Sequence, residues 1–278
     1  MNEVAVVSPI IRPSGIIYGM PEDDYFGGGE LSVSALKKFD QSPAHYMFGE
    51  KKETPALALG KLIHTAMLEP EMMNKRYLPT LLERRGTKAW DAEEMAAGGR
   101  ELVKKEEWDS VIAMRSAVMG NNHELRNILL AEDTRVEASF FWQHDRTGMM
   151  CRGRADILNV NAGIAVDLKK STDAREQQLL KCLRDYKYHW QQAFYMAGLR
   201  RLGVPMERFI FTFMEDYAPY ASINWELPEE LIQRADMRIE SIMDKYAECV
   251  LEKDWPGYPS GILTPNIPKY LLNDTWPE

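Results

Sequence analysis

The sequence predicts one domain of the α/β (α+β) class, and two observations carry that prediction. Apolar spacing reads as helix through most of residues 31–134 and changes at 135 to a strand-like texture. Helices therefore precede a β-meander, and a helix and strands follow it, which is the order of a mixed α and β domain. At 278 residues the chain is long enough to bury a core without staples. Its 45% hydrophobic and 27% charged residues are ordinary for a globular protein.

The elements follow in order. Residues 1–30 are rich in Gly and Pro, end in Gly27-Gly28-Gly29, and read as a mobile arm or irregular cap. Ser32 or Ser34 can cap a short helix carrying Leu36 and Phe39 on one face, ended by Ser42-Pro43. Residues 56–68 read as a helix, 71–90 as irregular, and 92–130 as mostly helical with a break at Gly120-Asn121-Asn122. The catalytic sheet core is expected over 135–225. Its strands are 136–144, 149–160 and 164–169, joined by turns at Asp145–Gly148 and Asn161–Gly163. A long helix at 174–202, strands at 209–214 and 221–225, and a helix from Pro228 to about 252 complete it. Residues 226–278 are thus a C-terminal helix and tail, the tail proline-rich from Trp255.

Several classes are disfavoured. No apolar run reaches the roughly 18 residues of a membrane span. The N-terminus MNEVAVVSPIIRPSG has an acid at position 3 and no basic segment, which argues against a secretory signal and for a cytoplasmic protein. Cys151, Cys182 and Cys249 form no CxxC pair or zinc pattern and read as reduced thiols. The net charge of −8 favours a small-molecule enzyme or an interaction protein over a DNA-binding one. A basic groove can nevertheless sit on an acidic body.

The chemistry centres on Arg154-Ala155-Asp156 and Val166-Asp167-Leu168-Lys169. A turn centred on Asn161-Ala162 pairs 160 with 163, 158 with 165 and 156 with 167. Asp156 and Asp167 then face each other at about 5 Å between Cβ atoms, a repulsive arrangement that a divalent cation would neutralise. Alternation puts Ala165, Asp167 and Lys169 on one face. Carboxylates suit Mg²⁺, which activates water and polarises phosphoryl oxygens, and a lysine beside them stabilises developing charge. Asp-x-Lys alone also fits a solvated hairpin. Likewise His64, on an apolar helix in Gly60-Lys61-Leu62-Ile63-His64, fits a core histidine as well as a metal ligand. Gln191 and Tyr195, spaced i and i+4, share a helix face; Glu137 opens a strand; Arg152 and Arg154 alternate with Asp156.

In chain order Gly60/His64, Asp156, Asp167/Lys169 and Gln191/Tyr195 resemble the motif series of RecB-like PD-(D/E)xK nucleases. The stretches GIIYGMPEDDYFGGGELSVSALKKFDQSPAHY, LALGKLIHTAMLEPE, TGMMCRGRADI, DLKKSTD, DYKYHWQQAFYMAGL and VLEKDWP resemble the nuclease domain of the RecE (exonuclease VIII) type, over nearly the whole chain. The resemblance implies a restriction-endonuclease-like core, a central mixed sheet flanked by helices. It implies that His64, Asp156, Asp167 and the backbone carbonyl of Leu168 hold Mg²⁺, with Mn²⁺ as a substitute. Lys169 would be the catalytic lysine, with Gln191 and Tyr195 positioning substrate or lysine. Glu137 would support the metal or hold a second one. The activity implied is processive 5′→3′ digestion of one strand of duplex DNA from an end. It leaves 3′ overhangs for phage-type recombination with a RecT-like annealing protein, encoded by a phage or prophage. The chain would correspond to the nuclease part of such proteins alone.

Some relatives bind an iron–sulfur cluster through cysteines around the Ser-Pro segment; here Pro43 is flanked by Ser42 and Ala44, so no cluster is expected. No helicase P-loop is present. The acidic charge together with the resemblance predicts a homo-oligomeric ring around DNA, a tetramer or else a trimer. Lys37, Lys38, Arg84, Arg85 and Lys88 are candidate DNA contacts, with Arg152 and Arg154 nearer the metal. Each of them also fits an ordinary solvated charge.

Overall fold

The computed structural model describes residues 12–50, 54–267 and 269–272. The first part of the chain is helical, as its spacing predicts, and polar caps set the boundaries. After β1 (Gly15–Ile17) and α1 (Glu22–Phe26) come α2 (Val33–Gln41), α3 (Pro43–Phe48) and α4 (Pro55–Leu68). Ser32 rather than Ser34 caps α2, its hydroxyl accepting from Ala35 N–H at 3.2 Å. Ser42 and Thr54 cap α3 and α4 in the same way, each followed by a proline in the first helical turn. Next are α5 (Met73–Arg76), β2 (Tyr77–Thr80), α6 (Lys88–Ala96), β3 (Glu101–Lys104), α7 (Lys105–Asn121) and α8 (His123–Leu130). The core follows as β4 (Arg135–Gln143), β5 (Met150–Asn159), β6 (Ile164–Ser171), α9 (Glu176–Tyr186), α10 (Tyr188–Arg201), β7 (Arg208–Glu215), β8 (Ser222–Glu226), α11 (Glu229–Glu252) and α12 (Lys269–Leu272).

Six strands form one mixed sheet in the order β1-β4-β5-β6-β7-β8, with β6 and β7 parallel and the other neighbours antiparallel. Helices cover both faces. On one, Leu36 and Phe39 of α2, Phe194 and Leu199 of α10, and Ile239 and Met243 of α11 pack on Phe140, Phe211 and Phe213. On the other, Leu62, Ile63 and Met67 of α4 and Val111 and Met114 of α7 pack on Ile157, Val166, Leu168 and Ile210. Burying apolar side chains on both faces of the central strands is the main stabilising term of the fold. Among the described residues no helix is long and apolar enough to cross a membrane.

Three expectations need correction. Residues 15–17 are an edge strand on β4 rather than loose arm, because their backbone finds partners in Phe141, Phe140 and Ser139; residues 1–11 lie outside the described residues. Residues 77–80 and 101–104, read as irregular and helical, pair as a small parallel sheet over Trp90 and Leu102. The helix expected over 174–202 is two helices. Lys187, at φ 51 and ψ 50, breaks the ladder between α9 and α10 without any Gly or Pro to announce it.

Candidate functional site

The β5–β6 hairpin has the register that the turn signal predicts. Asn159, Leu158 and Ile157 pair with Ile164, Ala165 and Val166. Gly163, at φ 66, closes the turn in a conformation that favours glycine. Pairing stops one step before Asp156 and Asp167. There the Leu168 N–H donates to Asp156 Oδ2 at 2.6 Å, so a carboxylate replaces the strand backbone as acceptor.

The β4–β5 pair is also irregular at this level. Val136 pairs with Ile157 and Ala138 with Ala155, but Glu137 lies between them at φ 49, in the left-handed region. The side chains change faces here. Ala138 and Ala155 pack into the α2/α10/α11 side, whereas Val136 and Ile157, two residues away, pack into the α4/α7 side. A non-glycine residue held in that conformation is strained, and such strain is concentrated at functional sites.

The irregularity brings three side chains together. His64 from α4, Glu137 from β4 and Asp156 from β5 each offer a ligand atom, all within 4.8 Å of one another. His64 Nδ1 is 3.5 Å from Asp156 Oδ1 and 3.8 Å from Glu137 Oε1. Burial opposes charge on His64, but Asp156, Glu137 and Asp167 outweigh it and raise its pKa to about 9. Burial, with repulsion from Asp167 and Glu137, pushes the Asp156 carboxyl up to about 7 against the pull of His64 and Lys169. One imidazole, the buried Asp156 carboxylate and the half-buried Glu137 carboxylate form a donor set that fits a hard divalent cation. The sequence offers Glu137 as a support for the metal or a ligand of a second one, not as a partner of His64 and Asp156. The missed signal was the Asp145–Gly148 turn, whose centre sets 137 opposite 156.

Asp167 stands beside this group, within electrostatic reach of His64 and Asp156. Its two oxygens are taken by Lys169 Nζ and Gln191 Nε2. Lys169 in turn donates to Gln191 Oε1 at 3.1 Å. Gln191 on α10 therefore ties the lysine and the carboxylate of β6 into a closed triangle. Leu168, buried between them in sequence, is fixed by its N–H bond to Asp156. Lys37 on α2 faces the same place. Burial, with the charges of Lys169 and Lys187, lowers its pKa to about 8, while Asp167 pulls the other way.

The other expected residues border the site or lie away from it. Tyr195, one helical turn beyond Gln191, is buried against Phe140 at 5.2 Å and touches the backbone of Arg154. It contacts β5 there and stays within electrostatic reach of Asp167 and Asp156. Arg152 is 8% exposed and committed to the N-terminal segment, donating to the carbonyls of Tyr25 (2.7 Å) and Gly28 (3.3 Å) beside Glu30. That burial corrects the expectation of a phosphate contact. Arg154 donates to Ser139 Oγ and the Met20 carbonyl and lies over the Tyr25 ring at 4.2 Å. Its Nη1 is 3.9 Å from Glu137 Oε2. Lys38, Arg84 and Lys88 are exposed. Arg85 pairs with Glu107 at 2.8 Å and lies over Trp90.

Residues 32–263 match the family model of a PDDEXK-like domain of unknown function, DUF3799. No curated protein matches the sequence. Among solved structures, a "putative exonuclease" from Eubacterium rectale is similar at 12% identity and TM-score 0.57, over 87% of this chain and 92% of that one. That likeness is one of fold. A second structure, SSO0001, covers 72% of this chain and 89% of its own at 14% identity, with a TM-score of 0.29 that carries no argument.

Proposed function

We propose, from the premise that the chain belongs to the DUF3799 family of PDDEXK-like domains, that it is a divalent-metal-dependent DNA exonuclease. One observation carries the reading: His64, Glu137 and Asp156 converge beside a triangle of Asp167, Lys169 and Gln191. This is a donor set for a cation next to a positioned ammonium, at the open end of a hairpin. The fold neighbour described as a putative exonuclease supports the same reading.

His64, Glu137, Asp156 and Asp167 would hold Mg²⁺ or Mn²⁺, with the Leu168 carbonyl as a further oxygen donor. When bound, such a cation supplies a more acidic water and a polarised phosphoryl oxygen. Lys169 donates to an oxygen of the scissile phosphate or orients the attacking water, stabilising charge as it develops. Gln191 holds the ammonium and the Asp167 carboxylate in a fixed relation, so neither side chain must be ordered during the reaction.

The finer assignment rests on the RecE-type sequence stretches. It is 5′→3′ digestion of one strand of linear duplex, yielding 3′ overhangs for annealing by a RecT-like partner in phage-type recombination. A homo-oligomeric ring, a tetramer or trimer, would let a chain of net charge −8 stay on DNA by enclosure rather than by tight binding. The test is a time course on linear duplex labelled at either 5′ or 3′ ends, with and without Mg²⁺, beside a circular duplex. Metal-dependent loss of 5′ label from linear DNA alone is expected. Cleavage of the circle refutes the exonuclease reading, and early loss of 3′ label refutes the polarity. Light scattering that gives a monomer at micromolar concentration refutes the ring.

A further inference from the structure

A column of aromatic rings rises from the core beside Lys169 and ends in solvent. Phe211 and Phe213 of β7 are buried, and Tyr188 lies against both, with ring centroids 5.7 and 5.8 Å away. Lys169 Nζ is 5.0 Å from the Tyr188 ring centroid. Tyr186 stacks on Tyr188 at 5.6 Å with 25° between the planes, and 59% of Tyr186 is exposed. Side chains two apart on a continuous helix do not face each other. These two rings meet because the chain turns through the left-handed Lys187 between α9 and α10. That strained residue is held by two contacts of its ammonium group. The ammonium lies 4.3 Å from the Trp190 ring centroid and bonds Asp40, which also accepts from Arg238 at 2.6 Å.

We propose that the outer face of Tyr186 is a stacking site for an unpaired base of the DNA strand whose phosphate reaches Lys169. This deepens the nuclease reading and rests on it. Every base offers a π face, and an aromatic ring beside cationic side chains is the chemistry that binds single-stranded nucleic acid. Bases inside a duplex are already stacked on both faces, so the occupant is a base freed at the strand end or in a single-stranded tail. Of the column's rings, Tyr186 is the one that presents a free face, and it stands one ring away from the lysine. The column aligns the strand by its base while Lys169 meets its phosphate. Tyr186 is thus a positioning residue for the substrate strand.

The test measures binding of oligo(dT), and of an abasic strand of equal length, to the full chain with divalent cations chelated. Tyr186→Ala is expected to weaken oligo(dT) binding roughly five- to hundredfold and to leave the abasic strand unchanged. Tyr186→Phe, which keeps the ring, is expected to bind like the wild type. In Tyr186→Trp the emission is expected to be quenched by oligo(dT) beyond any change in the wild type. The proposal is overturned if Tyr186→Ala binds oligo(dT) like the wild type, or if both strands lose affinity equally. It is also overturned if Tyr186→Phe falls with Tyr186→Ala, or if the wild type has no affinity for oligo(dT). Digestion of linear duplex in Mg²⁺ is followed in parallel. A base-dependent loss in Tyr186→Ala with no digestion by the wild type refutes the nuclease reading alone.

Discussion

The two ends of the β5–β6 hairpin are built on opposite terms. At the turn end, Leu158 faces Ala165 and Ile157 faces Val166 in a regular ladder, and these four side chains are buried and apolar. At the open end the ladder is abandoned. A carboxylate accepts the Leu168 amide, Glu137 is strained across the sheet, and three acids crowd around His64 and Lys169. Burial of polar and charged groups is costly unless they are bonded or paired. The contrast teaches that the apolar end supplies the stability against which the functional end is held together. Each end can be disturbed separately.

The largest effect is expected from the two aspartates, which should part company in stability while agreeing in activity. Asp156→Ala and Asp167→Ala should each reduce cleavage by at least about a thousandfold, the upper scale for removing a key electrostatic group. Asp156→Ala also strands the buried Leu168 N–H, at about 1–3 kcal/mol. Asp167→Ala strands no backbone amide and relieves like-charge repulsion, and Lys169 and Gln191, which lose their carboxylate, keep their bond to each other. Thermal melts in chelator should therefore place Asp156→Ala clearly below Asp167→Ala; the reverse order would break the picture of Asp156 as a structural acceptor.

Leu158→Ala, at the apolar end, should cost about 2–5 kcal/mol of stability by urea denaturation. The specific activity of the folded fraction should stay near that of the wild type. A fall in activity larger than the loss of folded protein would mean the two ends are not separable. Lys169→Arg keeps the charge but not the compact ammonium that fits between Asp167 and Gln191. Turnover should fall about a hundredfold while DNA affinity changes far less; normal turnover would demote Lys169 to an ordinary surface charge.

The smallest effect tests the strain. Glu137→Gly releases the left-handed φ and removes a carboxylate from the crowded group, so the chelated protein should gain roughly 1 kcal/mol. Mn²⁺ binding by calorimetry should weaken at the same time. A variant that is less stable and binds the cation as before would mean that Glu137 serves the sheet rather than the site.

Local signals determined the β5–β6 hairpin. A turn at 161–163 flanked by alternating residues gives the register found for residues 157–159 and 164–166, and extending it by one step brings Asp156 beside Asp167, with Lys169 on the same face as Asp167. Helix starts were equally legible, since a serine or threonine followed by proline or an apolar run satisfies first-turn amides from within the chain. The tertiary structure decided what depends on neighbours distant in sequence. It paired residues 15–17 and 77–80 into strands, because partners for their backbones lie far along the chain. It buried Arg152 under the N-terminal segment, although its alternation with Asp156 matches that of Arg154, and it packed Tyr195 against Phe140. It also placed Glu137 beside His64 and Asp156 and broke a helix at Lys187. Both are left-handed conformations at residues whose own propensities oppose them, so long-range contacts rather than local sequence must hold them there.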